Sequence, residues 1–310
     1  MIREELRSWL KCIASGWFDE LRQFGINLLW HPSVSEETGE EVVEVLLDLL
    51  LLKGSVAREP NDTGRFNMLA GTNRSVYRWM LDPAPRADYV IAVGSCAAYG
   101  GVPAAGSNPT DAVGLQFEGA DSGGALGADF RSRLGLSVIN VAPHPGWMME
   151  TILALTTNDL AATDLDSYGR PKFVANHLAH HGCSRNEFYE FKASAETMSE
   201  RGCLMEHLGC KATQAVGDCN QRSWNGGGSC TKGGYACIAC TSPGFEGAQN
   251  FLETAKLAGI PVGLPTDMPK AWFVALAALS KSATPRRVRL NATADHVVVP
   301  PGRATTKGKP

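Results

Sequence analysis

The sequence predicts an α/β fold with a parallel sheet in its first part and a loop-rich, cysteine-bearing second part. Three observations carry this. ADYVIAVGSC (87–96) is an apolar run that ends in a glycine-rich turn, AAYGG, as strands buried on both faces do. LSVINVA (136–142) is a second such run, and GWMMETILALTT (146–157) follows it with a helical pattern. From about residue 176 the apolar periodicity fades while cysteine, glycine and histidine rise. Strand, loop, helix and strand again imply parallel pairing. In such sheets ligands sit in the loops after the strands' carboxyl ends, here CAAYGG and PHPGW.

Each element follows in turn. Residues 1–24 carry Leu6, Leu10, Ile13, Phe18 and Leu21 at roughly helical spacing, and Gly25 ends the pattern. INLLW (26–30) reads as a short strand. SEETGEEVVEVLLDLL (35–50) begins acidic and turns apolar, as a helix entered from its N-terminus does. Around residues 47–53 helix and strand abut with no connecting loop. LPTDMPKAWFVALAALSKSA (264–283) returns to a helix, with Asp267 as its cap and Pro269 near N1. The tail PPGRATTKGKP is polar and basic and is expected to be disordered. The domains expected are 1–175, 176–290 and a tail over 291–310. No internal repeat is present.

Composition narrows the function classes. With 44% apolar and 20% charged residues among 310, the chain is an ordinary globular one. A net charge of −3 gives no electrostatic case for nucleic acid or an anionic membrane. The longest apolar run, Val45 to Leu52, is too short to span a bilayer and contains Asp48. The start, MIREELRSWLKC, has no apolar stretch of the export type, so a cytoplasmic location is expected. Neither a GxGxxG nor a P-loop is present, and no Ser/His/Asp or paired-carboxylate arrangement suggests hydrolysis.

Nine cysteines are the informative feature: Cys12, Cys96, Cys183, Cys203, Cys210, Cys219, Cys230, Cys237 and Cys240. In a reducing compartment, clustered thiols are more often metal ligands than disulfides. They group by spacing. His180-His181-Gly182-Cys183 with Cys203 and Cys210 offers three thiolates and an imidazole. Cys219, Cys230, Cys237 and Cys240 offer four thiolates. Each set completes a soft four-ligand site. Zinc accepts both donor sets, and so do iron–sulfur clusters. Only Cys237-x-x-Cys240 has the close spacing of a zinc knuckle. The wide spacings elsewhere favour ligands that wrap a larger cluster, and both metals stay open on spacing alone.

Several segments carry a family resemblance. HLAHHGCSRNEFYEFKASAE, GCLMEHLGCKATQ, DCNQRSWNGGGSCTKGGYACIACTSPGF and GIPVGLPTDMPKAWFVALAALSKSATP resemble the small, electron-transferring subunit of NiFe hydrogenases. LLWHPSVSEETGEEV, NDTGRFNMLAGT and YVIAVGSCAAYGGVPAAGSNPTDAVGLQ are similar to its cytoplasmic hydrogen-sensing (regulatory) branch. The resemblance covers nearly the whole chain and favours iron–sulfur over zinc. It implies a flavodoxin-like N-terminal domain with a proximal cluster, and a loop-rich, mostly helical iron–sulfur domain with a medial and a distal 4Fe-4S cluster. By the family's motifs, the distal ligands are His180, Cys183, Cys203 and Cys210. The medial ligands are Cys219, Cys230, Cys237 and Cys240. Many periplasmic relatives have proline where Cys230 stands and carry a three-iron cluster there, so cysteine favours four irons. The resemblance further implies a large-subunit partner holding the nickel–iron centre, and a sensor histidine kinase as a second partner.

The chain also departs from the family. A proximal cluster takes a Cys-x-x-Cys after the first strand, the cysteine of VGSC, and a cysteine of Gly-Cys-Pro. Cys96 matches the VGSC cysteine, and the other three have no match. SVINVA runs straight into PHPGW, where the family has the Gly-Cys-Pro segment. Cys12 and His144 are weak substitutes, the first helical and the second already part of HPGW. The expectation is a proximal cluster that is absent or labile, in a subunit that is degenerate, truncated or designed. Arg65, Phe66 and Asn108-Pro109-Thr110 resemble segments facing the large subunit. His31 reads as structural, and His181 competes with His180. Trp147, Trp224 and Trp272 read as core or cluster-shielding aromatics. Gly182, Gly209, Gly233 and Gly234 read as points of close backbone approach. Two other functions stand beside electron transfer: a non-conducting structural partner of the large subunit, and a two-zinc scaffold.

Overall fold

The computed structural model describes residues 22–29, 48–69, 72–142, 144–224, 228–247, 253–257, 259–261 and 269–295. Cys12, His31, Asp267, most of the predicted first helix and residues 296–310 of the tail lie outside them. The chain forms two compact units. The first takes residues 1–175 with 243–248, and the second takes 176–242 with 249–310.

Among the described residues, a three-stranded parallel sheet organises the first unit. Its strands are β1 (Leu49–Lys53), β2 (Tyr89–Val93) and β3 (Ile139–Val141), with β2 in the centre. Leu50 lies opposite Val90, and Ile91 opposite Ile139. Val90, Ile91 and Ala92 are fully buried, which is why VIAV shows no alternation: both faces of a central parallel strand are covered. At the edge, β1 buries only Leu50, and Leu51 is 39% exposed.

Two sequence expectations fail here. INLLW is not a strand: residues 26–29 are irregular, and Leu28 and Leu29 are exposed. Leu49 and Leu50, read as the end of a helix, begin β1 instead. A run of four leucines has no period, so nothing in it separates strand from helix.

Helices close the sheet's connections. A short helix, α1 (Val76–Met80), is capped by Ser75, whose Oγ accepts from Arg78 N. Its Trp79 and Met80 join Val90, Ala97, Tyr99, Val113 and Val138 in one core. After β2 the chain turns at Gly94, with φ of 89°, directly into α2 (Ser95–Tyr99). Gly94 N donates to Val141 O at 2.7 Å, tying that turn to β3. After β3, α3 (Pro145–Thr156) starts with Pro145 at N1, where a missing N–H costs nothing. It buries Trp147, Met148, Thr151, Ile152 and Leu155, a spacing that keeps one face toward the core. The one-turn helix α4 (Lys172–Ala175) ends the main run of this unit.

Among its described residues the second unit is loop-rich, and its regular structure is chiefly helical. Among the described residues its helices are α5 (Asn186–Glu190), α6 (Lys270–Ala283) and α7 (Arg286–Ala292). All the cysteines of this unit lie between residues 183 and 240, outside helix and strand. Pro269 stands at the N-cap of α6 rather than at N1. Trp272, Val274, Leu276 and Leu279 on α6 are 49–66% exposed, so Trp272 is not a core aromatic. By contrast α7 buries Val288 and Ala292, and Arg287 pairs with Glu187 of α5. No helix among the described residues is long and apolar enough to cross a membrane.

Candidate metal centre

The site is built on turns that present thiols inward. His180 N donates to Ala212 O at 3.0 Å, and Ala179 N to Ala215 O at 2.9 Å, which fixes the His-x-x-Cys turn against the 210–215 segment. Cys183 N closes the turn by donating to His180 O at 3.0 Å. Ser194 and Cys203 form an isolated bridge, with Ala195 N donating to Cys203 O at 2.9 Å. Gly202 packs so closely there that a Cβ would lie 2.5 Å from Ala195 N. Only glycine fits where two backbones approach like this.

These turns leave a small cavity lined by His180, Cys183, Cys203 and Cys210, walled by Tyr189, Leu204, Met205 and Ala212. All four residues of the first spacing group therefore meet in one place. The ring of Tyr189 meets His180 edge-on, with centroids 4.3 Å apart. His181 is exposed and lies outside the cavity lining, and its Nδ1 accepts from Leu178 N at 3.4 Å. His180 is the imidazole that the fold turns inward.

The second group lies beside it. Cys219 and Cys237 pack with Ala179, Ala212, Ala215, Ala239 and Cys210 in one apolar cluster. Cys219 and Cys240 lie near enough to Cys230 that a thiolate there raises the cost of charging either of them. The two groups touch through backbone: Cys237 N donates to Cys210 Sγ at 3.4 Å, and Lys211 N to Cys237 O at 2.7 Å. Gly182 brings the His-x-x-Cys turn hard against Asn220 and Gln221, immediately after Cys219. Gly209 and Gly234 hold positive φ, whereas Gly233 has ordinary space around it.

Burial is the chief influence on the thiols that shift. It pushes the Cys203 thiol up to about 12, with the neighbouring Cys210 and Cys183 thiolates adding to the rise. Cys219 and Cys240 rise to about 11, and Cys210 and Cys237 also rise, each chiefly through burial. Burial lowers the His180 pKa, leaving a neutral imidazole with a free lone pair. Neutral thiols at these depths become thiolates only when a metal supplies the compensating charge. The donor set of three thiols and an imidazole in an apolar shell is the soft set that iron–sulfur clusters take. Among the described residues, no three His, Cys, Asp or Glu side chains converge closely enough for a single metal ion.

One participant escaped the sequence reading. Arg185, two residues after Cys183, is 4% exposed and lines the same cavity. A charged residue in the Cys-Ser-Arg step was the available signal, but a charge two residues from a ligand usually points to solvent.

In the first unit, Cys96 sits in the first turn of α2, half-buried, against Gly101, where a Cβ would lie 2.8 Å from its Sγ. It is the only cysteine among the described residues of that unit. His144 caps α3: its Nδ1 accepts from Gly146 N at 3.1 Å, and its ring stacks on Trp147 at 4.9 Å. Phe66 and Pro109 are exposed, as is Arg65.

The family model for the C-terminal region of the NiFe/NiFeSe hydrogenase small subunit matches residues 176–253. The family of the NADH ubiquinone oxidoreductase 20 kDa subunit matches residues 9–155. Among curated proteins, the F420 non-reducing hydrogenase II small subunit of Methanosarcina mazei is 32% identical over 72% of this chain and 62% of its own length. The chain thus spans about 62% of that relative. The periplasmic NiFeSe hydrogenase small subunit of Desulfomicrobium baculatum is 29% identical, over 74% of this chain and 77% of its own. Among solved structures, the actinobacterial-type NiFe-hydrogenase of Ralstonia eutropha H16 matches with a TM-score of 0.62 and 26% identity, covering 83% of this chain and 79% of that one. The recombinant NiFeSe hydrogenase of Desulfovibrio vulgaris Hildenborough matches at 0.59 and 28%, covering 74% and 86%.

Proposed function

We propose that this chain, whose homologues are the small subunits of NiFe hydrogenases, relays electrons released by hydrogen oxidation in a large-subunit partner. The carrying observation is the single cavity that unites His180 with Cys183, Cys203 and Cys210. The reading assigns those four to a distal 4Fe-4S cluster, and Cys219, Cys230, Cys237 and Cys240 to a medial one. Such a cluster stores and passes one electron at a time without making or breaking a bond.

The chain's own residues set the conditions for this. Leu204, Met205 and Ala212 keep water from the cavity, which lowers the local dielectric. Arg185 N donates to Cys183 Sγ at 3.4 Å, and Cys237 N to Cys210 Sγ. N–H bonds to sulfur draw charge from the thiolate and raise the reduction potential. The backbone contact between Cys210 and Cys237 gives the two centres a short covalent and hydrogen-bonded route.

The large subunit, a flavodoxin-like first unit with residues 1–175 as its domain, and the hydrogen-sensing branch belong to the same reading. A cytoplasmic location and a sensor histidine kinase as second partner go with that branch. Their support is the likeness of LLWHPSVSEETGEEV, NDTGRFNMLAGT and YVIAVGSCAAYGG to that branch. The reading also leaves Cys96 without enough companions for a proximal cluster. About eight irons per chain fit two four-iron clusters, and about twelve would overturn that part.

The test is direct. Anaerobically purified chain should be brown, with a broad visible band bleached by dithionite. A colourless, zinc-loaded chain would return the two-zinc scaffold. Paired with its large subunit, the chain should support hydrogen-dependent dye reduction. Bleachable clusters without dye reduction would leave the non-conducting partner role.

A further inference from the structure

Arg185 is a cation held where cations are rare. Its side chain is buried, yet it is fixed by carbonyls alone. Nε donates to Thr231 O at 3.1 Å, and Nη1 donates to Glu200 O at 2.7 Å and Gly202 O at 2.5 Å. Among the described residues, Nη2 is buried and has no hydrogen-bond partner. No carboxylate is among its hydrogen-bond partners, and it lines the same cavity as Cys183, Cys203 and Cys210. A buried guanidinium without an anion is costly, because desolvation is not offset by an opposite charge. The anions that relieve this cost are the thiolates formed when the cavity is loaded.

The carbonyl clamp also gives the charge a fixed place. Thr231 follows Cys230, and its Oγ1 donates to Asn220 Oδ1 at 2.8 Å. Asn220 follows Cys219 and donates through Nδ2 to Ala179 O, next to His180. A buried polar chain therefore runs from Arg185 to both ligand groups. Rigid placement matters because charge effects in a low dielectric depend steeply on distance.

We propose that Arg185 is the built-in counter-charge of the His180–Cys183–Cys203–Cys210 centre, a positioning residue that raises its reduction potential. This rests on the iron–sulfur reading above. Reduction adds one electron, taken in a titration from dithionite, and breaks no bond. The guanidinium keeps its protons throughout. A fixed positive charge beside the centre stabilises the reduced, more negative state.

The test uses the full chain, cluster-loaded, as wild type, Arg185→Lys and Arg185→Gln. Midpoint potentials are read by EPR-monitored redox titration, and iron is quantified in parallel. At a fixed potential near the wild-type midpoint, Arg185→Gln should raise the oxidised-to-reduced ratio about tenfold, equivalent to a shift of about 59 mV downward. Arg185→Lys, which keeps the charge, should recover much of that shift. Equal potentials in loaded wild type and Arg185→Gln would overturn the proposal. So would an equal downward shift in both variants, or loss of iron from both, because either outcome assigns Arg185 to its carbonyl clamp alone. A wild-type chain without bleachable clusters would sink the iron–sulfur reading before this one is reached.

Discussion

Gly182 offers a sharp test of how the two ligand groups are held together. A Cβ on this residue would lie 2.6 Å from Gln221 Cγ and 2.8 Å from both Asn220 C and Gln221 N. Gln221 Cγ belongs to a flexible side chain and can move. The backbone atoms cannot move without carrying Cys219 with them. Reaching the 3.4 Å of ordinary contact from 2.8 Å requires about 0.6 Å of displacement between the turns. Overpacking of this kind costs about 1–3 kcal/mol. Gly182→Ala should therefore lower stability by that amount in chemical denaturation of the loaded chain. Because both ligand turns are displaced, it should also reduce iron retained on gel filtration. Unchanged stability with full iron would refute the claim that this approach is tight.

Further expectations follow from single residues. Cys230→Ala should lower iron by about one atom per chain while leaving the His180 centre loaded, read by iron assay and EPR. Trp147→Ala removes a side chain that is 3% exposed and stacked on His144, and should cost about 3–5 kcal/mol in denaturation of the first unit. Burial raises the Glu206 carboxyl, but donation from Lys281 Nζ at 2.7 Å and from Ser194 Oγ outweighs it, so the pKa ends below the ordinary 4.5. A depressed folded pKa stabilises the fold above the unfolded value, and the gain is lost as pH falls through the folded one. Wild type should therefore lose stability as pH drops below about 4.5, and Glu206→Gln should lose less, measured by denaturation at stepped pH.

How much of this was legible before the structure depends on what each signal rests on. Tyr89–Val93, Ile139–Val141 and Pro145–Thr156 were readable because burial is written into apolar runs and helical spacing. Leu49–Lys53 was not, since four consecutive leucines satisfy strand and helix alike. INLLW failed for the opposite reason: an apolar composition does not say that a sheet edge is available to receive it. In the site, thiols declare themselves by type, and the structure gathers His180 with Cys183, Cys203 and Cys210. The His-x-x-Cys motif already put His180 ahead of His181, and the turn at Ala179 and Ala212 brings His180 to the cavity lining. Arg185, Thr231 and Asn220 were invisible because their meaning lies in partners brought from 11 to 46 residues away. Sequence spacing carries ligands; it does not carry the groups that neutralise them.

The bare face of α6 has a practical consequence. A helix with Trp272, Val274, Leu276 and Leu279 in water is a hydrophobic-chromatography handle. Structure-making salts such as sulfate strengthen its attraction to any apolar surface. The protein should therefore bind phenyl resin firmly and salt out early, and low-salt buffers are the ones in which it can be concentrated.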